Sequence, residues 1–225
     1  MEFENNLMSQ LVFNFPFKTK YYEQDFYVSS NNFSAYKLIE SWPKWPGKWL
    51  NVFGSKGSGK THLSKILEKK IDRVKILNEN QVSNNILDEL NKIECLIIEN
   101  YTNKIDEKLF YTILNEVKQL DNYVVVNSIK PLQENDFKLQ DLQSRINSFV
   151  FIGIDLPTDD LLKVIISKSF SEKQIKLDPK ITEYIIKNVD RSYEKMIKFV
   201  RDIDELSLSS GKSININLIK KLLNQ

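Results

Sequence analysis

The chain has 225 residues, 41% hydrophobic and 28% charged, with 32 basic against 30 acidic side chains and a formal net charge of +2. That balance supports a globular core and gives no extended basic face for DNA, and no apolar run approaches the length of a membrane span. The polar start, Met1-Glu-Phe-Glu-Asn-Asn6, is unlike a secretory leader, and the lone Cys95, with no partner for an internal disulfide, points to a reducing cytosol.

Residues 1–8 read as disordered. Gln10-Leu-Val-Phe-Asn-Phe15 is a short apolar patch ahead of the first regular element. A helix is predicted over 32–41, stopping before Pro43, and Trp42-Pro-Lys-Trp-Pro-Gly-Lys-Trp49 is rich in turn residues. Its tryptophans can face a partner, but packing against the core is the better expectation. Trp49-Leu-Asn-Val-Phe53 reads as a strand.

Gly54-Ser-Lys-Gly-Ser-Gly59-Lys60-Thr61 follows and matches the phosphate-loop pattern at every fixed position. Its glycines let the backbone turn its N–H groups into one concavity, Lys60 adds a cation for the outer phosphates, and the Thr61 hydroxyl can bind Mg²⁺. Leu63, Ile66 and Leu67 then recur at helical spacing, so the loop opens a helix whose N-terminus also favours an anion.

Further on, Arg73–Leu77 is predicted as a strand, 83–92 as a short helix, and Glu94-Cys-Leu-Ile-Ile-Glu99 as a buried strand. Ile105, Leu109, Phe110, Ile113, Leu114 and Val117 mark a helix face, and Tyr123–Asn127 and Phe149–Ile154 are two more strands. Strands alternating with helices imply α/β architecture with a parallel sheet covered on both faces. After Leu156-Pro157 no strand is evident. Leu161, Leu162, Ile165 and Ile166 begin one amphipathic helix, Asp178-Pro179 caps a second, 192–208 form a third that stops near Gly211, and 217–223 a last. The expected organisation is a tail over 1–20, an α/β core over 21–156 and a small helical domain over 157–225.

Several side chains are placed to act on a nucleotide. Glu99 stands at the end of a buried strand, where phosphate-loop proteins hold Mg²⁺ with an acid. Asn100 follows it and has no oxygen basic enough to take a proton from water, which argues for weak or absent intrinsic hydrolysis. Asn127, at the end of the next strand, can orient a water or make a turn. Arg145 lies on a helix before the last strand and can serve as a surface ion pair or as an arginine finger on a neighbour's nucleotide. Arg191, in the helical domain, can reach the nucleotide or pair with Asp190.

The order of these features resembles the ATPase core of the DnaA replication initiators and, more specifically, the DnaA-related regulatory inactivators of the Hda type in their alphaproteobacterial form. The residues that carry the resemblance are Asp25-Phe-Tyr-Val-Ser-Ser-Asn-Asn32, Trp42-Pro-Lys-Trp-Pro46, Gly59-Lys-Thr-His-Leu63, Ile98-Glu-Asn100, Asp141-Leu-Gln-Ser-Arg145 and Val189-Asp-Arg191. The resemblance implies an AAA+ core with a helical lid, the nucleotide lying between them. It implies that Phe26, Tyr27, Val28 and Asn32 line the adenine pocket and that Gly54, Ser55, Lys56, Gly57, Ser58, Gly59, Lys60, Thr61 and His62 cradle ADP or ATP. Asn127 matches sensor 1, Arg191 matches sensor 2, Thr61 and Glu99 would hold Mg²⁺, and Arg145 matches the finger acting in trans.

By the same resemblance Gln10, Leu11, Phe13 and Phe15 would dock on the DNA polymerase sliding clamp, with the initiator DnaA as the other partner and DNA met only through the clamp. Phe13 stands where leucine is common in such motifs, Glu99 replaces the usual Asp, and Ile129 lacks an acidic group frequent in initiators. The chain also ends after the lid, without the helix-turn-helix domain of an initiator. The implied role is a regulator of initiation in the cytoplasm, associated with the nucleoid through the clamp, with a homodimer left open. An ATPase or small-molecule kinase in its own right, and a DnaA-like loader module that touches DNA, stand as alternatives.

Overall fold

The computed structural model describes residues 26–224. They divide between Leu156 and Pro157 into two compact units.

The first unit carries a five-stranded sheet, all of whose pairings are parallel, in the order β2-β3-β4-β1-β5. Its strands are β1 (Trp49–Gly54), β2 (Val74–Asn78), β3 (Cys95–Tyr101), β4 (Tyr123–Ser128) and β5 (Val150–Ile154). The apolar runs are continuous because both faces are covered. Leu96, Ile98, Val124 and Val126 pack against α3 (Glu107–Gln119) and α4 (Gln140–Ile146), through Phe110, Ile113, Leu114, Leu142 and Ile146. Cys95, Ile97, Leu50, Val52 and Val125 point the other way, onto Ala35 and Ile39 of α1 (Phe33–Glu40) and Leu63, Ile66 and Leu67 of α2 (Lys60–Glu68). Alternation along a strand therefore sorts its residues between two helical layers.

The tryptophans pack as expected. Trp49 is buried, and Trp42 meets Tyr123 at a ring separation of 4.2 Å. Trp45 donates from Nε1 to the Leu38 carbonyl at 2.6 Å.

One predicted element is different. The helix expected over 83–92 is instead two 3₁₀ turns, Asn84–Ile86 and Leu90–Lys92. Ile86 and Leu90, at helical spacing, are both buried. Yet the stretch is rich in Ser, Asn and Asp, which compete for backbone groups and favour turns over a continuous helix.

The second unit is helical: α5 (Asp159–Ser171), α6 (Pro179–Asn188), α7 (Tyr193–Ser210) and α8 (Ile216–Leu223). Leu162, Ile166, Phe170, Ile185, Met196, Ile203 and Ile219 form its own core. Thr158, Asp178, Ser192 and Asn215 each accept a backbone N–H at a helix start. Gly211 ends α7 at φ 63°, the left-handed conformation that glycine adopts without strain.

Candidate nucleotide site

The phosphate loop lies between the carboxyl end of β1 and the first turn of α2. Gly57 and Gly59 take φ values of 82° and 99°. A Cβ on Gly59 would lie 3.0 Å from the Phe26 ring, so the loop needs glycine here for conformation and for space. Phe26 stacks on Tyr36 at 5.7 Å and meets the His62 ring edge-on at 5.2 Å. Two asparagines hold the segment that carries Phe26. Asn32 donates from Nδ2 to the Tyr27 carbonyl at 3.0 Å and accepts from Ser29 N at 2.9 Å. Asn31 and Asp155 exchange hydrogen bonds, which ties the segment to the end of β5.

Lys60 is buried, and its ammonium donates to the carbonyls of Gly54 at 2.7 Å and Ser55 at 3.0 Å. Burial lowers its pKa from the ordinary lysine value, while the nearby Glu99 carboxylate works in the opposite direction. An arriving phosphate would replace the carbonyls as the ammonium's partner with a full negative charge.

Around Lys60 the polar residues form one connected network. Thr61 donates from Oγ1 to Glu99 Oε2 at 2.9 Å. Asn127 Nδ2 donates to Glu99 Oε1 and to Ser64 Oγ, both at 2.8 Å. Glu99, Asn127 and Ser64 are all buried. Two buried acceptors at this site, Asn127 Oδ1 and Ser55 Oγ, have no hydrogen-bond partner among the described residues. A hydroxyl beside a carboxylate is an oxygen donor set that suits Mg²⁺; the orphaned Asn127 oxygen suits the O–H of a bound water, and the Ser55 hydroxyl can donate to water or phosphate. These residues fit a magnesium nucleotide.

Glu99 reaches this network by the alternation that also turns Cys95 and Ile97 toward α2, and a bulge follows it. Ile98 pairs with Val126, but the next partners are Tyr101 and Ser128, one residue more on β3 than on β4. The extra residue is Asn100, at φ 57° and exposed. Glu99 keeps the face turned to α2, Tyr101 joins the opposite cluster, and Asn100 projects outward to donate to Asn78 Oδ1 at 2.6 Å. Asparagine tolerates that backbone conformation better than most residues.

Arg145 is elsewhere. It lines a cleft of about 250 Å³ with Lys48, Trp49, Lys118, Asp121, Asn122 and Ser148. Lys48 and Trp49 precede or begin β1, and Asn122 precedes β4, so the cleft lies at the amino ends of the strands. The phosphate loop leaves the carboxyl end of β1, a strand length away, roughly 15 Å at the usual rise per residue. Arg145 donates from Nε to Asn115 Oδ1 at 2.9 Å. In the helical unit Arg191 pairs with Asp159 at 3.2 Å, and Asp190 pairs instead with Lys195. Gln10, Leu11, Phe13 and Phe15 lie outside the described residues.

Sequence reasoning missed three residues around the site. Ser64 shares the Asn127 amide. Asn51, fully buried in β1, donates to the Val126 carbonyl at 2.8 Å and to Ser128 Oγ at 2.9 Å, and accepts from Leu132 N at 3.0 Å. Glu79 accepts from the backbone N–H groups of Thr102 and Lys104 at 2.9 and 2.8 Å and fastens the loop that follows β3. An asparagine inside an apolar strand was the one legible signal, for Asn51.

No protein-family model matches the chain. Domain III of the replication initiation protein DnaA from Thermotoga maritima superposes with a TM-score of 0.73 at 19% identity, over 93% of this chain and 98% of that one. The fold is that of DnaA domain III, an AAA+ fold. A structure of the initiator DnaA bound to AMPPCP and single-stranded DNA gives a TM-score of 0.67 at 19% identity, over 86% of this chain and 67% of that one. In sequence, the chromosomal replication initiator DnaA of Buchnera aphidicola (subspecies Baizongia pistaciae) is 27% identical over 98% of this chain and 54% of its own length. The chain thus spans about half the length of the DnaA relatives it resembles. The likeness to DnaA reaches across the described core and the helical unit. It does not distinguish the Hda type from an initiator.

Proposed function

We propose that this chain is a nucleotide-binding regulator of replication initiation, which stimulates ATP hydrolysis on a DnaA-type initiator while docked on the sliding clamp through Gln10, Leu11, Phe13 and Phe15. The observation that carries this reading is the separation of two functions on one sheet. The phosphate loop, with Thr61 and Glu99 for Mg²⁺, is at the carboxyl ends of the strands, and Arg145 is at the amino ends. An arginine so far from its own loop cannot serve the nucleotide bound there, but is free to enter another molecule's site. At home the bulged Asn100 is exposed and has no basic oxygen, so it cannot take a proton from water, and Glu99, the carboxylate beside Thr61, is assigned to Mg²⁺ in this reading. ADP or ATP would act as a ligand of the α/β unit, with Phe26 beside the base and Lys60 on the phosphates. Mg²⁺ would neutralise phosphate charge. In related phosphoryl transfer a trans arginine contributes roughly 10³–10⁵-fold.

The decisive measurement is ATP hydrolysis by an ATP-loaded DnaA-type initiator, with clamp and DNA, on adding this protein. Arg145→Ala is expected to abolish stimulation and leave clamp capture intact; full stimulation by that variant overturns the reading. Gln10→Ala/Leu11→Ala is expected to lose capture on immobilised clamp.

A second reading, a DnaA-like module that contacts DNA itself, is favoured by the likeness to initiators in both sequence and fold. Salt-sensitive binding to DNA in the absence of clamp would support it.

A further inference from the structure

The cleft beside Arg145 holds more than one arginine. Asn115, Lys118 and Gln119 are three and four residues apart on α3, so they share a face, and with Arg145 they line one concavity. A contiguous one adds Lys48 and Asp121. These two charges are committed to each other: Lys48 Nζ pairs with Asp121 Oδ2 at 2.5 Å, donates to the Asp121 carbonyl at 2.8 Å, and lies over the Tyr123 ring at 5.0 Å. Two cations remain. Lys118 is exposed and makes no ion pair among the described residues. Arg145 is half-buried and, among the described residues, spends only Nε, on Asn115 Oδ1, leaving both terminal nitrogens to the cleft. A planar guanidinium anchored at Nε has its two outer amino groups aimed together, the geometry that meets two oxygens of a phosphate.

We propose that Asn115 is the positioning residue for Arg145 and that Lys118 is its second cation, so that this cleft receives the terminal phosphates of a nucleoside triphosphate held by another protein. The inference rests on the trans role given above. Asn115 orients the fork without touching the phosphate. Lys118 adds a point charge within the same concavity, matching the spread of negative charge over the transferring phosphoryl group. The Asp121 carboxylate, already neutralised by Lys48, does not cancel it.

The test uses the full chain and an ATP-loaded initiator, titrated so that maximal stimulated rate and half-saturating concentration separate. Asn115→Ala should lower the maximal rate about 10- to 100-fold, the range for a misplaced catalytic group, with little change in half-saturation. Asn115→Asp keeps an acceptor oxygen at the same reach and should restore most of the rate. Lys118→Ala should lower the maximal rate and reduce its sensitivity to salt. Thermal unfolding of each variant at the wild-type midpoint keeps loss of fold out of the comparison. If Arg145→Ala stimulates normally, the trans role itself fails. If Arg145→Ala is inactive while Asn115→Ala and Lys118→Ala reach the wild-type rate, the trans role stands and the assignment of these two residues is overturned.

Discussion

Lys60 and Asn127 show how a few side chains are held ready at the phosphate loop. The Lys60 ammonium already rests on loop carbonyls, so a nucleotide exchanges one set of oxygens for a better one. Lys60→Ala should therefore remove nucleotide binding, as read by titration with a fluorescent ADP analogue, while the fold persists. Asn127 is different, because it bridges buried partners. Asn127→Ala leaves Glu99 Oε1 and Ser64 Oγ short of a donor and should cost about 1–3 kcal/mol in denaturant unfolding. Lys60 was legible in the sequence because a phosphate loop is a local pattern. Ser64 was not, because a serine on the buried side of a helix has meaning only once the opposing strand is in place.

Among the elements, β3 is the one whose irregularity takes Asn100 away from the site. A continuous apolar run predicts a buried strand ending in Glu99, and that much was legible. The bulge was not, since it arises from pairing with β4; Glu99 faces inward by the alternation it shares with Cys95 and Ile97, and the bulge sends Asn100 outward and Tyr101 to the opposite cluster. The loop after β3 is then held by Glu79, whose carboxylate accepts from two backbone N–H groups. Glu79→Ala should destabilise the protein by about 1.5–3 kcal/mol, since hydrogen bonds to a charged group are lost, and should speed amide exchange at Thr102 and Lys104. The predicted helix over 83–92 fails for a related reason. Apolar spacing at Ile86 and Leu90 satisfies helix and 3₁₀ turns alike, and the local Ser, Asn and Asp residues favour turns.

At the scale of the whole molecule, each unit has its own core, and the helical unit has well-formed caps at its helix starts. A ligand that binds only the folded core must stabilise it. Saturation with magnesium nucleotide to about 100 times the dissociation constant should add about 2.7 kcal/mol to unfolding of the α/β unit. No such shift should occur in Lys60→Ala. The pure protein should also turn ATP over slowly, whereas a fast partner-free rate in a steady-state assay would favour the enzyme reading.

The sequence by itself determined that a phosphate loop joins a buried strand to a helix, that strands and helices alternate before Pro157, and that helices alone follow. These are written in short-range patterns: glycine spacing, apolar period and capping residues. Only the tertiary structure decided that Thr61, Glu99, Asn127 and Ser64 form one network. It alone put Asn100 outside that network and set Arg145 on Asn115 at the far end of the sheet. Those facts depend on which strands pair, in which register and on which face, and such contacts join residues too distant in the chain for any local pattern to encode.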